Sequence, residues 1–123
     1  MIPGMRQFSV MLTACLLAST GAADEPQILN VEVAQSGAAW RVDVTIAHPD
    51  AGWDHYVDSW EVLDKDGKRL GYRILHHPHV NEQPFTRSLN NLVLPDDTRE
   101  IFVRAHCSVD GWAGETVRVE LPR

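Results

Sequence analysis

Apolar and polar residues alternate along most of the chain. Leu29, Val31 and Val33 are separated by Asn30 and Glu32; Trp40, Val42, Val44 and Ile46 by Arg41, Asp43 and Thr45. Tyr56, Asp58, Trp60 and Val62 share one parity, and Leu70, Tyr72 and Ile74 alternate with Arg69, Gly71 and Arg73. Phe85 to Leu94 is extended but less regular. Ile101, Val103, Ala105 and Cys107 then alternate with Phe102, Arg104 and His106, and Val117, Val119 and Leu121 with Arg118 and Glu120. A period of two places alternate side chains on opposite faces of a strand. Turn formers punctuate the runs at Ser36-Gly37, Asp64-Lys65-Asp66-Gly67 and Pro95-Asp96-Asp97-Thr98. No window has helical spacing. The pattern predicts an all-β domain, a single seven-stranded antiparallel β-sandwich, with no internal repeat or linker.

The runs resemble a fibronectin type III or related immunoglobulin-like domain. Trp40, Trp60 and the segment Leu92-Val-Leu94-Pro95-Asp-Asp-Thr98-Arg-Glu-Ile101-Phe-Val103-Arg-Ala105 carry the resemblance, with Ile101 near the place of the family's corner tyrosine. It implies that successive strands run up and down, so that alternate connections gather at one end. The loops after the second, fourth and sixth runs then meet, and they hold or flank all 6 histidines: His48, His55, His76, His77, His79 and His106.

Ahead of the first strand the pattern changes. Arg6 is followed by an apolar run, Phe8 to Ser19, and by the small residues Thr20-Gly21-Ala22-Ala23. That order predicts a secretory signal peptide over residues 1–23 and a mature domain over 24–123. The apolar run is shorter than the roughly 20 residues that span a bilayer, so no transmembrane segment is expected in the mature chain. Leu12-Thr13-Ala14-Cys15 also has the form of a lipobox, in which Cys15 would carry a lipid. Apolar residues continue past it, which favours a periplasmic or secreted protein over a lipid-anchored one.

Charge narrows the partners. The formal net charge is −6, and losing Arg6 with the leader makes it −7. An acidic surface opposes nucleic-acid binding, which depends on neutralising phosphates with Lys and Arg. Removing Cys15 with the leader leaves Cys107 alone. Its parity places it with Ile101, Val103 and Ala105, and it is expected to be a core thiol.

The candidate chemistry lies in the histidine-rich end. His77-Pro78-His79 presents two imidazoles at i and i+2 of extended chain. With His55, and with His76 and His48 nearby, the donors suit copper or zinc; Asp50, Asp54 or Glu82 could complete or orient the set. His106-Cys107 suggests a blue-copper arrangement, but no methionine follows Met11 to serve as an axial ligand. The other expectation for this end is a recognition surface for a protein or glycan, with Trp53, Asp54, Glu82, Arg87, His106 and Trp112 as contacts. Against such a surface stands the expectation that Tyr56 and Trp60 belong to the core and that Asp58 caps or pairs, with Arg73 or Arg87. Gly-x-Ser-x-Gly, Walker, Rossmann and Cys-x-x-Cys patterns are absent. Catalysis is not expected, and the chain is read as a monomer.

Overall fold

The computed structural model describes residues 25–123; the expected leader and Cys15 lie outside them. Eight strands follow in order: β1 (Gln27–Ser36), β2 (Ala39–Ala47), β3 (Val57–Leu63), β4 (Arg69–Ile74), β5 (Phe85–Leu92), β6 (Glu100–Cys107), β7 (Gly111–Trp112) and β8 (Val117–Glu120). They form two antiparallel sheets. One has the order β1-β2-β5, the other β4-β3-β6, with β7 and β8 both pairing β6. The seven predicted runs are all strands, and the two-residue β7 makes an eighth.

Alternation explains the packing. Trp40, Val42, Val44 and Ile46 of β2 face Trp60 and Val62 of β3, Phe85 and Leu92 of β5, and Ile101, Val103 and Ala105 of β6 in a continuous core. The expected parity of β3 fails at its start. A bulge between Val57 and Ser59 turns Val57 into the core, where it is fully buried, and leaves Tyr56 half-buried outside it. A bulge inserts one residue and so reverses the facing on one side of it. Asp58 accordingly points away from the core and meets His106 Nδ1 at 2.6 Å. Neither expected arginine takes Asp58: Arg73 donates to the Ser88 carbonyl and Arg87 to Glu82.

The register pairs Ile46 with Phe85, Val57 with Cys107 and Ser59 with Ile74. These are the same ends of their strands, so the connections 48–56, 75–84 and 108–110 lie together. Tyr56 N–H reaches Ser108 Oγ at 3.0 Å, and His79 N–H reaches Asp50 Oδ2 at 2.8 Å, tying the three loops to one another.

Candidate metal centre

The 48–56 connection supplies two of the three groups and the end of β6 the third. At the end of β2, Asp50 N–H donates to the His48 carbonyl at 2.8 Å, curling the chain around Pro49. This turns the Asp50 carboxylate back into the protein. Its Oδ1 lies 2.6 Å from His48 Nδ1 and accepts Val57 N–H at 3.1 Å, while Oδ2 accepts His79 N–H. The side chains of His48 and Asp50 are both fully removed from solvent. A buried carboxylate so close to Nδ1 fixes the proton there, and the Nε2 lone pair is left free.

His55 is delivered by a tight reversal. Ala51 N–H bonds the His55 carbonyl at 2.9 Å and His55 N–H bonds the Gly52 carbonyl at 3.1 Å. Gly52 turns the corner at φ 132°, a backbone region that side-chain-bearing residues avoid. The reversal sets the His55 ring edge-on to His48, with centroids 5.1 Å apart.

Cys107, the last residue of β6, supplies the third group. One ring nitrogen each of His48 and His55 and the Cys107 sulfur all lie within 4.8 Å of one another. Nε2 of both histidines is buried with no hydrogen-bond partner among the described residues. Leaving such atoms unpaired costs about 1–3 kcal/mol each. Val109 N–H points at Cys107 Sγ from 3.5 Å, and the thiol faces Asp110 Oδ2 at 3.8 Å. Asp110 Oδ2 is also 3.8 Å from His55 Nε2. Two imidazoles and a thiol thus converge, with the Asp110 carboxylate beside His55 and Cys107. Ligand atoms at zinc-bond lengths in a tetrahedron stand roughly 3.5 Å apart, so a small closure would bring the triad to coordination distance. A divalent cation would be neutralised by the Cys107 thiolate and the Asp110 carboxylate.

The sequence-predicted residues divide. His48 and His55 enter this group. Cys107 is fully buried, as its parity predicts, yet its sulfur faces the histidines, a role that parity alone does not show. His79 lies on the far side of Asp50, its ring stacked 3.9 Å from Phe85 and 4.7 Å from the His77 ring. Burial, then the nearby Arg87 guanidinium and His77, hold the His79 imidazole below its ordinary value of 6.5, against the opposing pull of Glu82 and Asp50. His76 and His77 are exposed on that loop. Trp53 is 67% exposed and meets Tyr56 edge-on at 5.6 Å; Asp54 beside it is exposed. Glu82 pairs with Arg87 at 3.0 Å on the surface. His106 and Trp112 pack together on the outer face of the larger sheet, centroids 4.8 Å apart.

No known protein family matches the chain. A protein of Halomicrobium mukohataei named "Putative lipoprotein" is 36% identical over 97 residues, which take in 78% of this chain and 47% of that protein. The chain therefore spans about half the length of the relative it matches. Among solved structures, the superoxide reductase from Nanoarchaeum equitans is similar at a TM-score of 0.42 and 13% identity, over 80% of this chain and 93% of that one. A likeness that distant carries nothing about ligands or chemistry. Among the described residues no helix is long and apolar enough to cross a membrane.

Proposed function

We propose that this is an exported, non-catalytic β-sandwich protein that binds a transition metal, zinc or copper, through His48, His55 and Cys107, with Asp110 as the fourth group. The observation that carries the reading is the meeting of two unpartnered, buried imidazole nitrogens and a thiol at one point. Nitrogen and sulfur donors of this kind suit zinc and copper better than magnesium or calcium, and Asp50 is placed as the carboxylate that orients a ligating histidine. Carriage or delivery of the ion fits a small domain whose site opens to solvent past His55 and Asp110. Export, with or without a lipid on Cys15, is supported by the leader-like N-terminus and by the lipoprotein name of the relative. Assignment to a fibronectin type III-like sandwich is supported by the strand order β1-β2-β5 against β4-β3-β6-β8.

A second reading, a recognition module for a protein or glycan using the same loops, draws on the exposure of Trp53 beside the site.

The test is calorimetric titration of the untagged protein with Zn²⁺ and Cu²⁺, with Co²⁺ as a spectroscopic probe. We expect one-to-one, sub-micromolar binding and a thiolate-to-cobalt charge-transfer band, both lost in His48→Gln and Cys107→Ser. Weak, unsaturable binding would overturn the proposal. So would binding that survives in those variants and disappears in His77→Ala/His79→Ala, which would move the site across Asp50.

A further inference from the structure

The outer face of the five-stranded sheet carries a second built cluster, which the metal reading does not use. Glu61 lies at its centre, only 3% exposed. Register places it between Tyr72 on β4 and Arg104 on β6. Both of its oxygens are taken: Arg69 Nε donates to Oε1 at 2.8 Å and Arg104 Nε to Oε2 at 2.7 Å. One carboxylate therefore fixes two guanidinium groups, and the unit keeps a net charge of about +1 by simple count.

Aromatic rings hold the two guanidinium groups from the side. Arg69 lies 4.1 Å over Tyr72 and 5.9 Å from the Trp112 ring, and Arg104 lies 4.8 Å over Trp112. Cation–π contact of this kind limits the freedom of long side chains. Each arginine uses only its Nε; the terminal Nη groups of both have no partner among the described residues. The Arg69 side chain is 48% exposed and that of Arg104 33%, so these donors reach solvent. Such immobilised forks match a carboxylate with two parallel hydrogen bonds and have already lost most of the entropy of ordering.

We infer that Arg69 and Arg104, set on Trp112, are the docking point for an acidic segment of a protein partner. Two observations favour a protein over a free anion. The cluster lies on an open strand face, where a single small ion makes few contacts. It is also continuous with exposed Tyr72 and with Ile74, 49% exposed and on the same side of β4, giving the arginine–aromatic composition of interaction anchors. Charge complementarity selects the partner: the protein as a whole is acidic at −6, so an acidic segment is repelled elsewhere and finds its favourable contact here. The inference stands independently of the metal reading.

The test is NMR titration of the ¹⁵N-labelled protein with a capped synthetic peptide of alternating glutamate and aspartate. At low salt the Trp112 indole N–H and the Arg69 and Arg104 Nε–H resonances should shift and saturate, and the shifts should vanish at high salt as the charges are screened. Arg69→Gln and Arg104→Gln, each of which leaves Glu61 one arginine, should weaken binding about tenfold or more. Mapping on the unaltered protein keeps the test valid if a variant fails to fold. The inference is overturned if these resonances do not respond saturably, or if well-folded variants bind the peptide as tightly as the parent. It is equally overturned if inorganic phosphate at matched ionic strength occupies the point as well as the peptide does.

Discussion

His48 Nδ1 stands 2.6 Å from Asp50 Oδ1, with neither side chain accessible to solvent. This short contact determines what the histidine can do. It commits the Nδ1 proton to Asp50 and leaves Nε2, buried and without a partner among the described residues, as the nitrogen free to bind an ion. Asp50 in turn holds the next loop through His79 N–H, so one carboxylate sets both the ligand and the loop behind it.

Replacing Asp50 with Asn should separate these roles from simple bulk. An amide would present an N–H₂ group to one of the three N–H donors now satisfied by the carboxylate. We expect a loss of about 1–3 kcal/mol in folding stability, from leaving a buried donor unpaired. Metal affinity should fall about 10–100-fold, as is typical when a ligand's orienting partner is removed. Urea denaturation with chelator present reads the first effect, and competition against a chromophoric chelator reads the second. If affinity is unchanged while stability falls, Asp50 is a loop fastener only.

Gly52→Ala tests the reversal that carries His55. At φ 132° an alanine would be strained by about 1–3 kcal/mol, although open space surrounds the position. Relief of that strain would shift the turn and withdraw His55. The expected result is weaker metal binding with the sandwich intact, measured by calorimetry beside an amide NMR spectrum of the strands. A variant that binds as tightly as the parent would remove His55 from the ligand set.

A pH dependence follows from His79. Its folded-state value lies below the ordinary 6.5, chiefly through burial and then through Arg87 and His77. The unfolded chain therefore binds more protons than the folded one between the two values, and stability rises with pH across that interval. The His79 contribution is fully present above about pH 6.5 and is lost as pH falls toward and through the lowered value. His79→Phe, which keeps a ring against Phe85, should flatten this acid-side slope relative to the parent in denaturation curves on chelator-treated protein. Parallel slopes would show that His79 contributes nothing to it.

The sandwich was legible because burial on one face forces period-two alternation, which the sequence shows in every strand but β5, where it is less regular, and β7. β7 is too short at two residues to carry a period, and the β3 bulge hides in sequence because it only exchanges Val57 for Tyr56. The meeting of the three loops followed from the up-and-down topology that the resemblance to an immunoglobulin-like sandwich implied. The choice among histidines did not. His77-Pro78-His79 is conspicuous as a motif, whereas His48 gains its role from Asp50, and no spacing rule shows that this carboxylate turns inward. Cys107 was visible as a core residue; that the same inward direction, at the last position of β6, brings its sulfur under the histidine loops is a fact of strand length and tilt.

Cys107 offers the sharpest separation between a packing role and a ligand role. A small apolar residue in its place should cost the metal-free protein only about 1–3 kcal/mol, the usual range for one core change. A ligand role has a different signature, because an ion that binds only the folded state adds stability by mass action, about 2.7 kcal/mol at a hundredfold excess over its dissociation constant. Thermal unfolding of Cys107→Ala, with chelator and then with excess Zn²⁺, should show a modestly lowered midpoint that metal no longer raises, whereas the parent's midpoint climbs with added ion. Equal metal-induced stabilisation in the two proteins would return Cys107 to the core and leave the histidines to act without it.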